Sequence, residues 1–509
     1  MNEVGSFALV LHSHLPWLAH HGRWPVGEEW LYQAWAGSYL PLTRMLGELA
    51  DVGARDVLTL GVTPVLAAQL DDPACVAAAA TWVGMWQARA VELAGRGDPA
   101  LRDLASREYR AAARAAEQLS TPWRHGGSPV LRSLADAGVV ELLGGPATHP
   151  FLPLLDERVA RFALAAGLAD ARSRFGAFGG GIWAPECGYS PGLERVYADA
   201  GVTHFLADEA TLAAAGRSTS AAWRVRGREV AVFGRDLSVT DRIWSSRIGY
   251  PTGPEYRDFH AVDEHSGLHL HRVTGSGVPS SGKGRYEPGR AALAVERDAQ
   301  EFVARVRDRL TEVADRDRRP GLVVAAYDTE LFGHWWHEGP AFLARVLRLL
   351  PAAGVRLTTL RRALEDGAVR GDIDLPAGSW GAGKDFRVWA GPTVEPLVDE
   401  GFWVQRRLLD VLDAERLGRR LLVRRPDLDQ LARQALLALS SDWAFMVTRD
   451  QAADYAWRRA DEHRAAFHRL AELVQRGDRQ GATEEAARQR TTDGPFGDLD
   501  ARTLLRQGS

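Results

Sequence analysis

The chain has 509 residues, 46% hydrophobic and 25% charged, with a formal net charge of −4. That balance suits a soluble protein with a large buried core and predicts two or three domains. It argues against nucleic-acid binding, because the arginines are interleaved with acids and no lysine-rich face or basic tail occurs. Tryptophan stands out, with seventeen copies against four methionines; indole faces stack on sugar rings, although most tryptophans fill cores.

The N-terminal stretch MNEVGSFALVLHSHLP has no basic segment and an apolar run of only five residues, Phe7 to Leu11. Neither a signal peptide nor a membrane span is expected, and a cytoplasmic location is. Cys75 and Cys187 make no disulfide framework or metal-ligand spacing, which fits a reducing compartment. Cys187 has no matching histidine arrangement and reads as a small buried thiol.

Short apolar runs ending in polar residues then recur: FALVLHSH (7–14), DVLTLGVTP (56–64), VVELLGGPATH (139–149), GGGIWAPECGY (179–189), VTHFLADEA (202–210), EVAVFGRD (229–236) and GLVVAAYDTE (321–330). Helical patterns lie between them, such as SPGLERVYADAG (190–201), which opens on Ser-Pro and closes on Gly. Strands alternating with helices predict a parallel α/β sheet, and seven such runs favour a barrel over an open sheet. Residues 71 to 135 break the rhythm with alanine-rich helices and no strand between them, which marks a helical insertion. From about 400 onward the chain is helical again, and from about 477 it is polar and loosely patterned. The predicted division is a barrel over 1–395, insertion included, and a helical domain over 396–509.

In α/β barrels functional side chains sit just past the C-terminal strand ends, where these runs carry His, Asp, Glu, Thr or Arg. VVAAYDTELFGHWWHEGP (323–340) places Asp328 and Glu330 there, followed by two Trp and two His. GGGIWAPECGYSPG (179–192) places Glu186 after a strand and a stiffening proline. Its glycines precede the strand rather than open a helix, so the dinucleotide fingerprint fails. Two carboxylates on one barrel face supply what glycosidic cleavage needs, one at the oxocarbenium-like centre and one protonating the leaving oxygen. Their repulsion and burial would raise the acid's pKa and leave its partner ionised. His12, His14 and His149 allow two readings, a metal site or hydrogen bonding to sugar hydroxyls.

With these motifs the sequence resembles glycoside hydrolase family 57, in particular its α-1,4-glucan branching enzymes. The resemblance runs in order through LHSHLPW (11–17), TPVLAAQL (63–70), ELLGGPATHPFLPLL (141–155), GIWAPECGY (181–189), FGRDLS (233–238), IWSSRIGYPTGPEYRDF (243–259), AAYDTELFGHWWHEGP (325–340), SWGAG (379–383) and SSDWAF (440–445). It implies an incomplete seven-stranded (β/α) barrel and a C-terminal helical domain closing over a substrate groove. It further implies a retaining mechanism with Glu186 as nucleophile and Asp328 as general acid/base. Arg235, Gly253, Trp380 and Asp442 match positions that contact glucan, and Trp336, His12, His14 and His149 are expected in the same groove. The implied partner is an α-glucan polysaccharide, with no metal or organic cofactor.

The sequence departs from the family at three places. Residues 208–230, between the nucleophile and Arg235-Asp236, are short and lack the tyrosine that tips a mobile loop in branching members. Lys384 stands where a second glycine is common. Residues 261–290 diverge, with a flexible-looking GSGVPSSGKGRYEPG. The short 208–230 interval supports an alternative, an α-glucan hydrolase or 4-α-glucanotransferase on the same scaffold. A second alternative is a metal-dependent carbohydrate deacetylase using His12, His14 and His149.

Overall fold

Among the described residues, runs of three to nine residues, most of them apolar, form nine strands: β1 (Gly5–Ser13), β2 (Leu58–Val62), β3 (Val140–Leu143), β4 (His204–Ala207), β5 (Ala222–Val225), β6 (Ala231–Gly234), β7 (Gly321–Asp328), β8 (Val355–Leu357) and β9 (Val369–Ile373). They come from a computed structural model that describes residues 4–24, 26–176, 179–417 and 423–504. Parallel pairing runs from β1 to β2 and β3. It continues through a bridge from Gly144 to Ile182 and another from Gly181 to His204. β4 pairs in parallel with β6, and β7 returns to β1 along its length, from Gly5 opposite Gly321 to His12 opposite Asp328. Between β6 and β7 no ladder forms among the described residues; Asp236 N–H donates to Val324 O at 2.7 Å across the seam. Seven strand positions with one open seam make an incomplete barrel.

All of β1 is buried, as expected when helices cover the outside of a parallel sheet. The predicted strand over 179–189 shrinks to a two-residue bridge followed by a turn, because Pro185 cannot donate to a ladder. Residues 208–230 do not project over the barrel mouth. Their last part is β5, antiparallel to β6 and paired on its far side with β9. Ser220 O also accepts from Leu322 N–H at the start of β7, the end away from Asp328.

The helical insertion is a pair of long helices, Pro73–Ala94 and Pro99–Ser120, each opened by an aspartate cap and a first-turn proline. Glu108 accepts from Trp86 Nε1 and from Arg257 Nη1, at 2.9 and 2.8 Å, and so ties the pair to the 253–286 segment. Five helices form the C-terminal part: Glu395–Leu417, Pro426–Ala438, Ser441–Thr448, Ala453–Gln475 and Arg479–Arg490. The last corrects the expectation of a loosely patterned tail. It has no apolar stripe, and it docks through buried Ala482 and Ala486 and a Gln489 amide donating to Ala466 O at 2.9 Å. Ser441 N–H donates to His149 O at 3.1 Å, so the helix Ser441–Thr448 starts against the barrel rim. Among the described residues no helix is long and apolar enough to cross a membrane.

Candidate active site

The ladder that puts His12 opposite Asp328 sets the first edge of the site. Asp328 ends β7, and Thr329 and Glu330 begin a single 3-10 turn. Glu330 accepts from the Tyr39 hydroxyl and from His14 N–H, the latter at 3.1 Å. Asp328 keeps some exposure at the rim, and among the described residues no hydrogen bond reaches its carboxyl. Burial, then the charges of Glu330 and Glu186, hold it well above the usual carboxylate range. Burial lifts Glu330 to about 7 against its hydrogen bonds.

Glu186 sits in the turn Pro185–Cys187 with φ 61°, and Cys187 follows at φ 49°. Two consecutive left-handed non-glycine residues cost on the order of 1–2 kcal/mol each, and backbone bonds hold them there. Cys187 N–H donates to Ala184 O, Gly188 N–H to Pro185 O, and Trp380 N–H to Glu186 O, all within 2.9 Å. The carboxylate is gripped at both oxygens, Oε2 by Trp380 Nε1–H and Oε1 by the Ser441 hydroxyl, each at 2.8 Å. Burial, helped by the Asp442 charge, lifts Glu186 to about 7, and those two hydrogen bonds oppose the rise. Glu186 and Glu330 thus each have donors for an ionised form, and Asp328 has none among the described residues. The Cys187 thiol is buried and pushed up by that burial, as expected of an inert core cysteine.

Trp380 is half-buried. Trp183 meets it edge-on at 5.1 Å, Trp244 stacks on it at 6.2 Å, and the Arg235 guanidinium lies 5.2 Å from its ring centroid. Arg235 is fixed by buried Asp208, at 2.7 Å, which also accepts from Lys384 at 3.0 Å. Lys384 has φ 60°, a left-handed conformation that glycine adopts without strain. Its ion pair to Asp208 and its bond to Trp380 O, at 3.1 Å, hold the side chain in place.

His12 and His149 are each 2% exposed, and their Nε2 atoms lie 3.1 Å apart. His149 Nδ1 meets Ser441 Oγ at 2.9 Å. Both imidazoles are buried, with Nδ1 of His12 left without a partner among the described residues, so neither presents to a sugar the exposed edge that the sequence predicts. His14 is partly open, with Nδ1 on Thr63 at 3.0 Å and Nε2 on both oxygens of Asp442 at 3.0 and 2.9 Å. Burial pulls the His14 pKa down, but Asp442 outweighs it and raises the value; burial lifts Asp442, and His14 brings it below its ordinary value. Of the postulated metal set, His14 and His149 come together with Asp442, and His12 falls outside that group. Among the described residues, the group with ligand atoms within 4.8 Å of one another is His14, His149 and Asp442. Hydrogen bonds within the protein already engage all three.

Trp336 is another correction. It is 1% exposed and packs among Tyr256 and Phe342 at 5.2 and 4.9 Å, so it is core, while neighbouring Trp335 is exposed. Gly253 closes the turn Tyr250–Thr252 and lies against Tyr256, on the side of the helix Pro288–Asp317 through the Tyr256–Asp298 hydrogen bond of 2.6 Å. The structure therefore gathers Glu186, Asp328, Arg235, Trp380, Asp442 and His14, and leaves Gly253 and Trp336 outside that group. Sequence reasoning missed Ser441, Asp208 and Tyr39; it placed Glu330 at the strand end beside Asp328 but gave it no role.

An α/β barrel with three buried carboxyls of raised pKa and exposed indoles near the C-terminal strand ends is the architecture of a carbohydrate-active enzyme. Residues 8–376 match glycosyl hydrolase family 57, and residues 403–504 match the C-terminal domain of 1,4-alpha-glucan branching enzymes. The chain belongs to glycoside hydrolase family 57. It is 50% identical, over 98% of both chains, to a probable 1,4-alpha-glucan branching enzyme of Mycobacterium tuberculosis. The solved family 57 branching enzyme of Thermococcus kodakaraensis superposes with a TM-score of 0.92 at 32% identity, covering 99% of this chain and 97% of that one. An α-amylase of Thermotoga maritima shares the fold, with a TM-score of 0.88 at 24% identity, covering 99% and 100%.

Proposed function

We propose that this chain is an α-1,4-glucan branching enzyme, acting by double displacement on an α-glucan. The observation that carries the mechanism is the asymmetry of the carboxyl pair, with two hydrogen-bond donors on Glu186 and none on Asp328. In the first step the Glu186 carboxylate attacks C1 of a glucosyl unit, the bond from C1 to the leaving O4 breaks, and Asp328 gives its proton to that O4. In the second, Asp328 takes the proton of an acceptor 6-hydroxyl, whose oxygen attacks C1 and releases Glu186. Two inversions retain the α configuration and create an α-1,6 branch. Trp380 supplies an apolar face for a glucosyl ring and Arg235 braces it, while Asp442, held by His14, offers its remaining acceptor lone pairs at the mouth. We also propose the division into a barrel over 1–395, with its insertion at about 71–135, and a helical domain over 396–509 that lines the groove.

A second reading, hydrolysis, is favoured by one observation. The interval 208–230 is a short helix, Glu209–Ala214, and a strand, Ala222–Val225, paired with β9, so it carries no long loop to act as a lid and exclude water. Incubation with amylose decides between them by counting new α-1,6 linkages and new reducing ends in one sample. Branches with few reducing ends support transfer; reducing ends without branches make water the acceptor and overturn the branching assignment.

A further inference from the structure

The hydrogen bonds behind Glu186 have one self-consistent direction. Ser441 Oγ carries a single proton and meets two partners, Glu186 Oε1 at 2.8 Å and His149 Nδ1 at 2.9 Å. An ionised Glu186 only accepts, so the Ser441 proton points to it and His149 donates from Nδ1 to Ser441. Burial and the neighbouring His14 charge keep His149 neutral. Its Nε2 is then a lone pair, and His12 Nε2–H donates to it across 3.1 Å. His12 is held neutral by burial and His149, so the chain ends on a lone pair at His12 Nδ1. That atom is buried and has no partner among the described residues. Reversing every bond would place a proton there and create a buried donor without an acceptor, the rarer and costlier kind of orphan.

We propose that His12, His149 and Ser441 form a one-way donor relay that keeps the Glu186 carboxylate ionised and aimed, with Ser441 as the positioning residue in contact with it. Ser441 arrives from the C-terminal helical part, so that part completes the nucleophile as well as lining a groove. The relay rests on the role proposed for Glu186. Other titratable groups facing Glu186 are His14 just past β1, Asp328 at the end of β7 and Asp442 on the helix Ser441–Thr448.

The test is the pH dependence of kcat and KM for amylose turnover in the wild type, Ser441→Ala, Ser441→Thr and His12→Leu, with thermal midpoints recorded to confirm folding. Ser441→Ala is expected to lower kcat with little change in KM. It should also move the acid limb to higher pH by about one unit, a tenfold change in ionisation constant. Ser441→Thr should return the limb toward the wild-type position, and His12→Leu, which does not touch Glu186, should move it the same way as Ser441→Ala by less. An acid limb unmoved in Ser441→Ala, whatever its activity, overturns the proposal; one unmoved in His12→Leu overturns the relay. Glu186→Gln in the same assay separates the two levels, since retained turnover there would sink the nucleophile assignment itself.

Discussion

Two buried histidine–carboxylate pairs in this protein have nearly the same length and different work. His204, at the start of β4, donates to Glu141 on β3 at 2.8 Å, with side-chain exposures of 0% and 1%. His14, just past β1, meets Asp442 at 2.9 Å, with exposures of 10% and 15%. Glu141 also accepts from Thr59 Oγ1 and Arg361 N–H, at 3.0 and 2.9 Å, and His204 Nδ1 lies 2.9 Å from Thr203 Oγ1. Every hydrogen-bonding side of that pair is engaged within the barrel wall. The His14–Asp442 pair instead joins two parts of the chain 428 residues apart, beside three carboxyls whose pKa values are raised. Complete satisfaction marks a strut; partial exposure among perturbed acids marks a working site.

The largest effects that sharpen this contrast lie at the rim. Asp328→Asn removes the proposed general acid, which contributes ~10²–10⁴-fold in such reactions, and Glu186→Gln should cost at least as much. Both variants should unfold near the wild-type temperature and still bind maltoheptaose by calorimetry. Glu141→Gln is the opposite case. It leaves a buried pair broken and should lower unfolding free energy by about 3–5 kcal/mol in denaturant melts, with kcat per folded molecule unchanged. If Glu141→Gln lost turnover without losing stability, the contrast would collapse.

Next in size is the pH dependence of the rim pair. The folded pKa of His14 is raised above its ordinary 6.5, so its contribution to stability is complete below 6.5 and is lost as pH rises through the folded value. Asp442 is lowered, so its share is present above its ordinary range and lost as pH falls. Glu141 is lowered too and loses stability only on the acid side. The thermal midpoint should therefore fall between pH 6.5 and 8.5 by less in His14→Gln than in the wild type. Equal falls would remove the linkage assigned to His14. The smallest effect is expected at Lys384→Gly, where relief of the left-handed backbone offsets a partly solvated ion pair. The net change in stability should stay within about 1 kcal/mol.

The fold was legible because strand ends announce themselves. Apolar runs stopping at HSH, APEC and YDTE mark the rim, and the alanine-rich interval marks the insertion. What stayed hidden depends on contacts between distant segments. Nothing local in SSDW tells Ser441, on the carboxylate, from Ser440, on Asp442 at 2.5 Å. Nothing in GHWWHEG says that Trp336 is core and Trp335 is not, since adjacent residues in an irregular turn can face anywhere. The histidines misled for a related reason. Strand alternation puts His12 and His14 on one face, but two residues of depth separate a buried relay from an open rim. The helix Arg479–Arg490 escaped notice because it buries small residues and an amide rather than a hydrophobic stripe.

The account turns on Glu186 forming a covalent bond to sugar, and one measurement reaches it directly. Asp328→Asn incubated with an α-maltooligosyl fluoride bypasses the need for an acid, since fluoride leaves unprotonated, and lacks the base for the second step. The glycosyl-enzyme should accumulate, and peptide mapping by mass spectrometry should place the sugar on Glu186. Sugar on Glu330, or fluoride released with no adduct and with inverted product, would contradict the assignment.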